Sequence, residues 1–153
     1  FARLGKAPNE DFYPRKINKI SDTILTKGNR LTIFTTGNIL ENVYNSVTTL
    51  NRKGYKIKLI SIFTLKPISE NFILNNINTK NVLTIEENVS MGGLGSLIAH
   101  IILKSKKNRK INFNSLSLED IIHNKIGSQK YLRKINKLDP ESIIKTITRF
   151  LNE

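Results

Sequence analysis

Two adjacent carboxylates, Glu86 and Glu87, stand just ahead of a glycine-rich turn in "LTIEENVSMGGLGSLIAHIIL", Leu83 to Leu103. Three kinds of chemistry could use these residues. The glutamates could do acid–base work. The turn could cradle a phosphate, because free N–H groups and the positive end of a following helix face an incoming anion. The unit could also be packing, with Gly92 and Gly93 permitting a sharp turn and Gly95 letting a helix lie close to a sheet. Successive strand residues point to opposite faces, so the glutamates cannot face one substrate as a pair. At most one faces a crevice, where it can accept loop N–H groups or sit at an interface. "GGLGS" lacks the full spacing of a dinucleotide fingerprint, and no Walker lysine follows it.

The histidines add little. His100 lies in the helix that follows the turn, off its apolar stripe. His123 is near Glu119 and Asp120, but a metal site needs a converging ligand set and the sequence supplies no further member. There is no cysteine, hence no thiolate ligand, cysteine nucleophile or disulfide. No nucleophile elbow is present. The expectation is a chain with no catalytic residue, cofactor-binding residue or metal ligand of its own.

The elements that position these residues can be read from periodicity. "LTIFTT", Leu31 to Thr36, is β-branched and aromatic, which predicts a strand ended by Gly37. Ile39, Leu40, Val43, Val47 and Leu50 recur at helical spacing, closed by Gly54. Lys56–Ser61 is the second predicted strand. A helix capped by Ser69 follows Pro67, and Asn81–Glu86 is the third strand. Leu94, Leu97, Ile98, Ile101 and Ile102 form the stripe of the next helix, and Lys110–Ser115 is the fourth strand. A short helix from Ser128 to Ile135 and a last one, capped by Asp139 with Pro140 at its first position, close the chain. Strand and helix alternate, so the expected fold is a three-layer α/β/α domain with a mainly parallel sheet. Residues 1–22, with Gly5, Pro8 and Pro14, read as a linker, and residues 23–153 as the domain.

The chain of 153 residues fits a single domain. No apolar run approaches the roughly 20 residues that span a bilayer, and the opening has no signal-peptide core. A cytoplasmic setting and no membrane partner are expected. Phe1 stands where an initiator methionine would be, which suggests a piece of a longer protein. The formal net charge is +13. It reads as a Lys-, Asn- and Ile-rich composition, and "KSKKNRK", Lys104 to Lys110, as a solvated connection without interleaved aromatics. No nucleic-acid partner is expected on this reading. The residues alone also fit a stand-alone α/β binding or regulatory module.

The order of motifs carries a resemblance. "FARLGKAP" resembles the segment that ends the middle domain of transketolases. "GNRLTIFTTGNILENVYNSVTTLNRKGYKIKLISIFTLKPIS" resembles the opening of their C-terminal domain. "VLTIEENVSMGGLGSLIAHIIL" resembles that domain's most recognisable motif, and "IGSQKYLRKINKLDPESIIKTI" its closing helices. Relatives of this family include 1-deoxy-D-xylulose-5-phosphate synthase and the beta subunits of 2-oxoacid dehydrogenases; "RLGK", "LKP" and "GGLGS" look most like transketolase, especially the small subunit of split forms.

The resemblance implies a transferase that uses thiamine diphosphate and Mg to move two-carbon ketol units between sugar phosphates. It implies that the cofactor lies between upstream domains, or in a large subunit, and that the full enzyme is a homodimer. This domain would be inactive alone and would support assembly and the substrate entrance. It further implies that Lys6, at a place usually held by Arg, contacts the sugar phosphate, although a lysine lacks the bidentate fork. Gly37, Glu86, Gly92, Gly93 and Gly95 would form the structural turn at the interface. The alternative within the family is the same domain of 1-deoxy-D-xylulose-5-phosphate synthase.

Overall fold

Apolar β-branched runs form the sheet, and residues at helical spacing cover it. The structure, a computed structural model, describes residues 21–105, 110–121 and 126–152. The strands are β1 (Thr23–Thr26), β2 (Leu31–Thr36), β3 (Ile57–Ser61), β4 (Asn81–Val89) and β5 (Asn112–Leu118). The helices are α1 (Leu40–Arg52), α2 (Glu70–Asn76), α3 (Leu94–Lys104), α4 (Gln129–Ile135) and α5 (Pro140–Asn152), with a short 3-10 turn at Gly37–Ile39 before α1.

The sheet order is β1-β3-β2-β4-β5. β3, β2, β4 and β5 run parallel, and β1 pairs antiparallel with β3 through an irregular register. The fold is α/β, as expected, but with five strands where four were read. β1 falls where regular structure was not anticipated, β4 runs three residues past Glu86, and β5 is Asn112–Leu118 rather than Lys110–Ser115. Strand β5 starts late because Asn112, not Lys110, opens the ladder by donating its N–H to Lys80 O at 2.8 Å.

Two apolar layers flank the sheet. Leu31, Ile33, Leu59, Leu83 and Ile85 pack with Val43, Val47 and Leu50 of α1 and Ile143, Ile147 and Phe150 of α5. Phe34, Ile60 and Val82 pack with Ile73 of α2 and Leu94, Ile98 and Ile101 of α3 on the other side. Burying each such side chain is worth about 1.5–3 kcal/mol, so α5 is held mainly by Ile143, Ile147 and Phe150. Its start is fixed to α1: Asn42 Nδ2 donates to Leu138 O at 3.0 Å, and buried Ser46 places its hydroxyl 3.1 Å from Pro140 O.

Helix ends follow their residues. Gly54 (φ 88°) ends α1, with Gly54 N–H donating to Asn51 O at 2.9 Å and Tyr55 N–H to Leu50 O at 3.2 Å, a Schellman closure. The Ser69 and Ser128 hydroxyls accept the N–H groups of Phe72 and Tyr131, at 3.3 and 3.2 Å. Asp139 Oδ1 accepts Ser142 N–H at 3.3 Å at the start of α5. Among the described residues, no helix is long and apolar enough to cross a membrane.

Candidate functional site at the carboxyl ends of β2 and β4

The connection after β2 leads outward to β3, whereas the next one steps over β2 to β4. The strand order therefore reverses between β2 and β4, and in open α/β sheets ligands meet the carboxyl ends of strands at such a switch point. Here Thr36 pairs with Glu86 across the two strands. Gly37 follows with φ 75°, a backbone conformation that favours glycine, and the turn it starts packs on β4.

Beyond Ile85 the ladder to β5 breaks. Ile85 pairs with Leu116 and Val89 with Leu118, so Glu86–Asn88 stand opposite Ser117 alone. This bulge re-aims side chains at the strand end. Glu86 turns toward α3 and is 1% exposed. Its carboxylate accepts Leu94 N–H at 2.7 Å and Gly95 N–H at 2.8 Å. These are the free donors at the positive end of α3, where an external anion would bind. The anion comes from the chain itself.

The glycines allow that approach. A Cβ at Gly93 would lie 2.6 Å from Glu86 Oε1. A Cβ at Gly95 would lie 3.0 Å from Thr84 Oγ1 and would collide with Ser115 Oγ. The turn between them is fastened separately: Ser96 Oγ donates to Ser90 O at 2.6 Å and accepts Gly92 N–H at 3.2 Å. Met91, at the tip, is 78% exposed.

Glu87 engages a different layer. It accepts Arg133 Nε at 3.0 Å and Arg133 Nη2 at 2.7 Å, with Gln129 Nε2 at 3.3 Å, all from α4. The two carboxylates therefore clamp different helices to one strand end and do not converge on one substrate. Arg133 and Gln129 carried no signal in the sequence, since they lie 46 and 42 residues away. Asp22 was likewise missed; its Oδ1 accepts Phe63 N–H at 2.8 Å and Thr64 N–H at 3.2 Å, which pins the loop after β3.

The structure thus brings Gly37, Glu86, Gly92, Gly93 and Gly95 to one edge. His100 is exposed on α3. Lys6 and His123 lie outside the described residues. Among the described residues, no group of three or more His, Asp or Glu side chains could hold a metal ion. The described part of this edge does not fit a diphosphate with its metal, because Glu86 already fills the amino end of α3.

A three-layer domain with its switch point built around a self-capped glycine turn has clear relatives. The chain belongs to the transketolase C-terminal domain family, whose model matches residues 23–143. A 1-deoxy-D-xylulose-5-phosphate synthase of Clostridium tetani is 30% identical over 152 residues, covering 98% of this chain and 23% of the relative. An apulose-4-phosphate transketolase subunit of Actinobacillus succinogenes is 25% identical over 144 residues, covering 92% of this chain and 44% of the relative. The solved structure of a split-gene transketolase, an inactive beta4 tetramer, shares the fold with a TM-score of 0.77 at 21% identity, over 94% of this chain and 46% of that chain. The chain therefore spans between about a quarter and a half of the proteins it matches.

Proposed function

We propose that the chain is the C-terminal part of a transketolase-like thiamine-diphosphate enzyme that transfers two-carbon ketol units between sugar phosphates. The carrying observation is the match across nearly the whole chain to relatives more than twice its length. In this reading thiamine diphosphate and Mg are held by upstream domains or a large subunit. The carboxyl edge, with Glu86 to Gly95, faces them and shapes the substrate entrance, and Lys6 contacts the sugar phosphate. The full enzyme is a homodimer in the cytoplasm, a setting in line with the cysteine-free sequence.

A second reading stays within the family. The 30% identity to the synthase over 152 residues favours the same domain of a 1-deoxy-D-xylulose-5-phosphate synthase. One experiment separates them. The chain is combined with the polypeptide that carries the thiamine-diphosphate-binding domains, and ketol transfer and 1-deoxy-D-xylulose-5-phosphate formation are assayed in parallel. Ketol transfer only in the combined sample is expected; formation of the deoxy sugar instead selects the second reading. Calorimetric titration of the chain alone with thiamine diphosphate and magnesium should give no micromolar binding, and a micromolar isotherm would contradict the proposed division of labour.

A further inference from the structure

Among the described residues the sheet ends in β1 on one side and β5 on the other. An edge strand presents unpaired N–H and C=O groups, and folds blunt such edges with shortness, irregular register, charge or proline. β1 is blunted in this way. It has four residues, its register to β3 shifts between Ile24 and Thr26, and Lys27 follows it directly. β5 is not. It has seven residues, "NFNSLSL", with neither a charge nor a proline, and it pairs regularly with β4 from Asn112 to Leu116.

The first bond of this ladder fixes which groups are free. Asn112 N–H points to the β4 side, donating to Lys80 O at 2.8 Å. Backbone groups alternate in direction along a strand, so Phe113, Ser115 and Ser117 turn theirs to the open side. Ser115 agrees: its N–H is held by the neighbouring side chain, Asn114 Oδ1, at 2.8 Å, where a further strand would offer a carbonyl. The flanks add an independent feature. Lys110 and Asp120 lie equally far on either side of Ser115. Both are exposed, as is Glu119, and among the described residues none of the three forms an ion pair. Reversed end for end, the segment complements itself.

We propose that β5 is a homodimerisation edge, pairing antiparallel with β5 of a second copy of this chain about a two-fold axis at Ser115. Ser115 then meets its own copy, and Phe113 meets Ser117 of the second copy, each pair exchanging both backbone bonds. The same register sets Lys110 of each copy against Asp120 of the other, and two-fold symmetry repeats the pair. A slip to the next register would set Lys110 opposite Leu118, or Asp120 opposite Asn112, and lose both pairs. Two copies of net charge +13 repel, so an uncharged strip with opposite charges at its two ends is where they can approach. A strand of another protein could use the open bonds but has no reason to carry those charges in reverse order. The contact is small, so the dimer is weak, with a Kd on the order of 0.1 mM for the chain alone. It rests on this chain only and is independent of the proposed enzymatic role.

The test is sedimentation equilibrium of the 153-residue chain, from about 10 µM to about 1 mM, at about 0.15 M salt to screen distant charges. The parent should pass from monomer to dimer and stop there, because two-fold pairing closes. Asp120→Lys and Lys110→Asp should each weaken the dimer by about tenfold, since each places like charges opposite one another twice. Lys110→Asp lowers the net positive charge, so general repulsion alone would make that variant associate more tightly. The double variant Lys110→Asp, Asp120→Lys keeps the parent's net charge and should return to within about threefold of it. Asn114→Ala, which frees Ser115 N–H, should tighten the dimer by about threefold. Ser117→Pro removes an outward donor and no bond to β4, and should weaken the dimer at least about tenfold with an unchanged circular dichroism spectrum. A parent that stays monomeric at about 1 mM, or that grows beyond a dimer, would overturn the proposal. So would a double variant as weak as the single ones, or a Lys110→Asp protein that associates more tightly than the parent.

Discussion

Glu87 and Arg133 face each other fork to fork, with bonds of 3.0 and 2.7 Å, and their side chains are 26% and 11% exposed. A pair so placed is neither a solvated surface contact nor a fully buried one. Its geometry is bidentate, which a lysine cannot reproduce. Arg133→Ala leaves the Glu87 carboxylate half-buried without its cation. It should lower stability by about 1–3 kcal/mol, between the surface and buried limits. Arg133→Lys should recover only part of the loss. Urea midpoints of the three proteins decide this, and identical midpoints would show that the clamp holds nothing.

Glu86 offers a sharper contrast, because its two acceptor oxygens each serve one buried N–H. Glu86→Gln keeps the shape but turns one acceptor into a donor facing a donor. The expected loss is about 1–3 kcal/mol for the group left unsatisfied. Added phosphate or sulfate should stabilise a Glu86→Ala protein more than the parent, because the vacated end of α3 becomes open to anions. Thermal melts with and without phosphate measure this; equal shifts in both proteins would mean that the helix end stays closed.

Gly95 should be replaceable only if its neighbour yields. Gly95→Ala or Gly95→Val should cost about 1–3 kcal/mol, with Val at the upper end. Ser115→Ala removes the oxygen that the new Cβ would strike, so the double variant Gly95→Ala, Ser115→Ala should regain part of the loss. A double-mutant cycle in chemical denaturation reads this directly, and strict additivity would show that α3 does not depend on that approach.

Asp139 links the α5 cap to pH. Burial pushes its carboxyl up, but bonds from the Ser142 side chain and from the backbone N–H groups of Ser142, Asp139 and Glu141 outweigh this, and hold it below its ordinary value of 3.8. A depressed folded value means that the unfolded chain binds the proton more readily. The cap therefore contributes fully above the ordinary value, and its contribution is lost as pH falls through the lower folded value. Asp139→Ala should cost about 0.5–2 kcal/mol at neutral pH. Stability curves of parent and variant should converge toward acid; a gap that stays constant would show that the charge is irrelevant.

Self-association should be weak for this chain by itself. Met91 at 78% and Ile126 at 99% exposure sit on the carboxyl side with Phe63 and Leu65, each 37% exposed, and this side meets the upstream domains in the proposed enzyme. Sedimentation equilibrium over a concentration series tests this, and a tight dimer at nanomolar concentration would place a major interface within this domain.

Local chemistry made much of the fold legible. Helix α1 announces itself by period and by Gly54, α2 by Ser69, and α5 by Asp139 and Pro140. Strand β1 was not legible, because "TILT" is four residues long and its meaning depends on pairing with β3 more than thirty positions later. Strand β5 was displaced by two residues, since its start is set by Lys80 O and not by its own apolar pattern. At the site, "GGLGS" admits a cradle for phosphate but reads better as packing, because it lacks the dinucleotide fingerprint and a Walker lysine. Only in space does Glu86 appear within the turn's own donors. The partnership of Glu87 with α4 is likewise invisible along the chain, because an arginine in an exposed-looking helix has no local feature that names its acceptor.

The direction of β1 has a consequence for traffic along the polypeptide. Because β1 runs against β3, Thr23 lies opposite Ser61, at the carboxyl end of the sheet. Had β1 been parallel, the chain would have come in at the opposite end of the sheet. Instead it arrives beside Phe63 and Thr64, with Asp22 as the mooring point. A single antiparallel strand thus acts as a parity bit: it sets Asp22 and Thr23 at the same rim that carries Glu86 and the glycine turn, and not across the width of the domain from it.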